Sequence, residues 1–175
     1  LAKERCAMEL KKLFDNGITF KEFLYTDGDK ENSEKARKVY DSIEFDEDIV
    51  NSIKNIDRRI NIIVLAEIWC PDCIINVPVL GKMADINSNL HISIIKREGN
   101  EEVLQKYKEE GKVKIPTFIF FDENFNEIGY FIERPSIVKD VYKTSNQVEI
   151  ILTTKKYRNG EYVTETAKDI LSIIG

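Results

Sequence analysis

Up to about Arg59 the apolar positions recur at helical spacing, and no segment there alternates strongly enough for a strand. Cys6, Leu10, Leu13 and Phe14 form one stripe that stops at Asn16-Gly17. Thr19-Phe20-Lys21-Glu22 has the form of a capping box, after which Phe20, Phe23 and Leu24 face inward and Thr26-Asp27-Gly28-Asp29 closes the turn. Two more helices are predicted at about 33–43 and 46–56. At Arg59 the character changes. Ile60, Ile62, Ile63, Val64, Leu65 and Ala66 make a β-branched, apolar run suited to a strand buried on both faces. An apolar helical stretch follows through Ile86, then a second strand at 90–95 and an amphipathic helix at 100–110 ended by Gly111.

Strand, helix, strand, helix is the signature of a sheet with parallel members. Ile115-Pro116-Thr117 leads into another buried strand, Phe118-Ile119-Phe120-Phe121, and a turn at Asp122-Glu123-Asn124 returns the chain through 127–132 as a hairpin. After Glu133-Arg134-Pro135, Ser136 is placed to cap a helix. Residues 147–152 fit helix or strand and are read as helix. Arg158-Asn159-Gly160 is a break, and Tyr162, Ala167, Ile170 and Ile174 lie on a final amphipathic helix. No repeat and no low-complexity tract is present.

Composition narrows the class. The 175 residues are 42% hydrophobic and 33% charged, enough for a core beneath a charged surface and not the profile of a disordered chain. A net charge of −5 argues against nucleic acid or an anionic membrane as a partner. The apolar run at 60–69 is broken by Asn61 and Glu67 and is too short to span a bilayer. Lys3, Glu4, Arg5, Glu9, Lys11 and Lys12 break up the start, which has no signal-peptide pattern. The expectation is a soluble, cytoplasmic domain.

Three cysteines are too few for a secreted disulfide framework, and the single histidine, His91, leaves no material for a histidine-rich metal site. Cys6, on an apolar stripe, reads as a core residue. Cys70-Pro71-Asp72-Cys73 is the informative feature, because it stands where a strand ends and a helix begins. Unpaired N–H groups and the helix dipole favour negative charge there, and the thiolate is the reactive form of cysteine. Cys70 can attack a disulfide and Cys73, within the same turn, can resolve the mixed disulfide. The bland alternative is a buried pair or half a zinc site, but zinc normally takes four ligands, and Cys6 and His91 are far away in sequence.

Trp69-Cys70-Pro71-Asp72-Cys73 after a strand resembles the active site of the thioredoxin family, whose best-known version is Trp-Cys-Gly-Pro-Cys. Pro78 falls where that family kinks its active-site helix, and Ile115-Pro116-Thr117 resembles its cis-proline segment. The likeness covers roughly 59–134. It implies that Cys70 attacks and Cys73 resolves, that Trp69 covers part of the site, and that a cis Pro116 shapes a groove in which the Ile115 backbone pairs with substrate. Pro71, Asp72 and Arg134 would lie on that groove, and Glu133-Arg134-Pro135 resembles a subgroup carrying added helices. Two features depart from the family. The buried Asp of small thioredoxins, six residues before the first Cys, is Val64 here, and their buried Lys is matched best by Ile94. Glu67 is then the nearest candidate proton relay. Asp72 adds a negative charge opposing the Cys70 thiolate, and a carboxylate in a first helical turn is itself favourable. Arg134 is weighed between substrate contact and an ion pair with Glu133 or Asp122.

The sequence therefore predicts an α/β, thioredoxin-like fold: a central mixed β-sheet of about four strands flanked by helices. An N-terminal helical extension (1–58), a core (59–134) and C-terminal helices packing on the core (135–175) would form a single domain. The predicted function is a thiol–disulfide oxidoreductase acting on protein disulfides or low-molecular-weight thiols. It needs no bound cofactor or metal and is recycled by an external dithiol or reductase, since no Gly-rich dinucleotide fingerprint is present. The alternatives are an adaptor with silent cysteines and a sensor of peroxide or thiols.

Overall fold

The structure, a computed structural model, describes residues 1–175. Four helices precede the first strand: α1 (Ala2–Asp15), α2 (Phe20–Leu24), α3 (Lys30–Ser42) and α4 (Glu47–Lys54). Three of them open on a side chain that accepts from the free N–H groups of the first turn. At α2 the Thr19 hydroxyl accepts from Glu22 N–H at 3.1 Å and the Glu22 carboxylate accepts from Thr19 N–H at 2.7 Å, a complete capping box. Asp29 and Asp46 cap α3 and α4.

β1 (Ile60–Leu65) is buried along its whole length because it is an inner strand. Its polar member, Asn61, donates to the Asp122 carbonyl at 3.1 Å and accepts from Arg59 Nε at 2.9 Å, so the buried amide is satisfied. α5 (Pro71–Ile86) crosses over to β2 (Leu90–Ile95), which pairs parallel to β1 with Ile60 opposite Leu90. A short α6 (Glu101–Leu104) and one 3₁₀ turn (Gln105–Tyr107) lead to the antiparallel hairpin of β3 (Thr117–Phe121) and β4 (Glu127–Ile132). The sheet order is β2-β1-β3-β4. α7 (Ser136–Tyr142), α8 (Gln147–Arg158) and α9 (Val163–Ile174) finish the chain. This is the expected thioredoxin-like α/β fold with helical extensions.

α5 is the axis of the molecule. It packs against α3, α4, α9 and β2, so every residue from Asp72 to Gly81 is buried, which is why that stretch is apolar on all sides but for Asp72 and Asn76. Ala167, Ile170 and Ile174 of α9 join the same core. On the far edge of the sheet Ile18 pairs with Ile94 through N–H···O bonds of 2.8 and 2.9 Å, so the N-terminal extension covers part of the open edge of β2. No helix is long and apolar enough to cross a membrane.

Three local expectations are corrected. The helix predicted at 100–110 stops early. Tyr107 is buried with its hydroxyl on Glu127 at 2.6 Å, and Glu110 and Gly111 take positive φ (52° and 73°) in a turn that bridges Glu109 to Lys112. Cys6 is exposed, and α1 buries no residue completely, because its stripe only rests on the core through Leu10, Leu13 and Phe14. Ser136 does not cap α7. Instead Asp169 of α9 accepts from both its N–H (2.6 Å) and its hydroxyl (3.0 Å), which supplies the cap from another helix.

Candidate active site

Cys70 is the N-cap of α5 in extended conformation (φ −80°, ψ 122°), and Pro71 takes the first helical position, where its missing N–H costs nothing. The Cys70 thiol donates to the Ile115 carbonyl at 3.6 Å, and the bond that follows, Ile115–Pro116, is cis. The cysteine pair thus faces the proline segment. Cys70 keeps 6% of its surface exposed and Cys73 none. Trp69 and Pro71 stand out into solvent on either side of Cys70 in the chain. Both sulfurs are free thiols.

Their environments push them apart. Cys70 is drawn down to about 7, first by a hydrogen bond from the Cys73 thiol and then, against the cost of burial, by the N–H groups of Cys73 and Asp72 at the open end of the helix. The Asp72 charge opposes this as a smaller influence. Burial holds Cys73 well above an ordinary thiol, and its bond to Cys70 adds to that. One cysteine is poised to ionise and its partner holds a proton. No group of three or more His, Cys, Asp or Glu side chains converges to hold a metal.

Two of the residues assigned to the groove, Asp72 and Arg134, are tied to each other, and for Arg134 the structure shows an ion pair, one of the two roles weighed for it. Asp72 is 7% exposed, and its Oδ1 accepts from Arg134 Nε (3.0 Å), the Tyr157 hydroxyl (2.8 Å) and Arg158 Nη1 (3.1 Å). Arg134 pairs with Asp72 and with Glu133 (3.4 Å), not with Asp122, and its guanidinium lies over the Tyr142 ring at 4.7 Å. The Asp122 carboxylate instead closes its own turn on the N–H groups of Asn124 and Asn126. Glu67 accepts from the N–H groups of Arg97 (3.1 Å) and Glu98 (3.4 Å), and no hydrogen bond joins its carboxylate to either cysteine, so the relay role has no contact behind it. Glu133, at φ 64°, donates its N–H to the Pro116 carbonyl at 2.7 Å and accepts from Lys114 at 3.0 Å, which anchors the loop beside the proline. His91 lies on β2 opposite Asn61, away from this group.

Sequence reasoning missed Tyr157, Arg158, Asn76 and Thr166. Asn76 donates to Tyr157 Oη (2.7 Å) and to the Glu133 carbonyl (2.8 Å), and accepts from the Thr166 hydroxyl (2.8 Å). A single asparagine inside Ile74-Ile75-Asn76-Val77 was a usable signal, since a buried amide needs partners. Tyr157 and Arg158, far away in the chain, carried none.

A mixed four-stranded sheet with a helix-capping thiol against a cis-proline segment defines a thioredoxin-like protein. Residues 17–150 match the model of a family described as thioredoxin, and the chain belongs to that family. It is similar to a crystal structure of a protein of unknown function from Pseudomonas aeruginosa: 28% identical, covering 93% of this chain and 94% of that one, with a TM-score of 0.81. It is also similar to an HIV epitope-scaffold: 28% identical, covering 94% and 96%, with a TM-score of 0.80. No curated protein matches it.

Proposed function

We propose that the protein is a thiol–disulfide oxidoreductase. The observation that carries this reading is the unequal pair: Cys70, drawn down to about 7 at the head of α5 against the Ile115 carbonyl, beside a fully buried, protonated Cys73. The Cys70 thiolate attacks one sulfur of a substrate disulfide, the S–S bond breaks, and the other sulfur leaves as a thiolate and takes up a proton. Cys73 then gives up its proton and attacks Cys70 Sγ, releasing the second substrate thiol. The substrate gains two electrons and two protons, and the protein keeps a Cys70–Cys73 disulfide. An external dithiol or a reductase reverses the change, and no bound cofactor takes part. In this reading the substrate is an extended protein segment or a low-molecular-weight disulfide, since 6% exposure at Cys70 admits little more, and the working compartment is the reducing cytoplasm.

The same narrow opening favours a second reading, a peroxide sensor. Peroxide would oxidise the Cys70 thiolate to a sulfenic acid, and condensation with Cys73 would release water and form the same disulfide.

Cys73→Ser separates the readings. With the resolving sulfur gone, Cys70 accumulates as a stable mixed disulfide with a disulfide peptide or with oxidised glutathione, read on the Cys70 peptide because Cys6 is also exposed and free, and Cys70→Ser forms none at that position. A Cys73→Ser protein that forms no adduct at Cys70 with either, while peroxide oxidises wild type quickly, contradicts the oxidoreductase and leaves the sensor.

A further inference from the structure

The thiols stand at the head of α5, yet Asp72, one of the two residues between them, is held from the C-terminal part of the chain. Asp72 Oδ1 takes donors from Arg134, Tyr157 and Arg158, so two guanidinium groups face one carboxylate. Tyr157 is fully buried, and its oxygen also accepts from Asn76, which is bonded in turn to Thr166 of α9. The titratable and charged groups facing this cluster are Cys70 and Cys73 from α5, Glu133 with its partner Lys114 from the proline side, and Tyr142 from α7. An unpaired carboxylate two residues from a nucleophilic cysteine opposes its ionisation, and a carboxylate held by cations does so less.

Resting on the thiol–disulfide reading, we propose that Tyr157 and Arg158 are positioning residues: with Arg134 they hold and neutralise the Asp72 carboxylate, so that the docking of α8 governs the reactivity of Cys70. Neither residue touches a reacting sulfur. They act through Asp72, and any event that lifts the end of α8 lowers the reactivity of the pair.

Tyr157→Phe removes a donor without changing charge, and Arg158→Met removes a cation from a side chain 35% exposed. The readout is the pH midpoint of Cys70 alkylation, followed on its own peptide by mass. Both variants raise the midpoint by about half a unit or more, which is about threefold less thiolate below the midpoint. With Asp72→Asn as background, Tyr157→Phe moves it no further. An unmoved midpoint in both single variants, with wild-type circular dichroism, overturns the proposal. So does a Tyr157→Phe shift that persists in full with Asp72→Asn, since a general loosening would do that. If Tyr157→Phe does not fold, Arg158→Met decides alone on the same midpoint. The titration reads ionisation only, so it fails separately from disulfide reduction, which the Cys73→Ser adduct tests.

Discussion

At the residue scale, the acidity of Cys70 comes chiefly from its partner. The Cys73 thiol donates to it, burial opposes, and the backbone N–H groups of the helix start assist. Because the thiolate is the nucleophile, alkylation of Cys70 rises with pH through a midpoint near 7, while buried Cys73 stays inert. Cys73→Ala removes the main donor and moves the midpoint up toward that of an ordinary thiol, about 8.5. The rate must be followed on the Cys70 peptide, since Cys6 is exposed and free. A midpoint unchanged in Cys73→Ala contradicts the assigned cause. The spacing Cys70-x-x-Cys73 made the thiols legible. The orientation of Asp72 and Glu67 was not, because a carboxylate's partners depend on which remote donors the fold delivers: Arg97 and Glu98 N–H for Glu67, and three side chains for Asp72.

At the element scale, local chemistry decided most boundaries that were read correctly. The Thr19–Glu22 box opens α2, and the β-branched run of β1 lies in the buried middle of the sheet. The misreadings came where a tertiary contact overrode periodicity. Tyr107 ended the helix after β2 by burying its ring and bonding Glu127, and α7 took its cap from Asp169 rather than from Ser136. Gly17 shows the same dependence. A Cβ there would run into the Ser93 hydroxyl, which is bonded to the Phe14 carbonyl, and would lie 3.0 Å from the Ile94 carbonyl oxygen and 3.1 Å from the Ile94 nitrogen, both backbone atoms. Gly17→Ala should therefore push the Ile18–Ile94 bridge off the β2 edge and destabilise the protein by about 1–3 kcal/mol, the usual cost of overpacking. A lower urea midpoint at unchanged slope is the expected result, and an unchanged midpoint would show that the extension is not held there.

At the scale of the whole molecule, the two extensions do different work. The N-terminal helices wrap the β2 edge and the α5 flank, and α1 contributes no fully buried residue. The C-terminal helices enter the core through α9 and reach the cysteine turn through Tyr157 and Arg158. Such a link between sequence-distant residues leaves no periodic trace, so a strand-and-helix reading recovers the α/β sheet and the thiols but not the clamp on Asp72. The family match over residues 17–150 reaches past the core into both extensions.

Thiol–disulfide exchange at Cys70 and Cys73 is tested by a redox titration of the intact protein in glutathione buffers, with the thiol state of each cysteine read by peptide mass after acid quenching. A reversible Cys70–Cys73 disulfide forming in one two-electron step is expected, with Cys6 taking no part in it. A pair that stays reduced across the whole series, or a disulfide that recruits Cys6, would contradict that exchange.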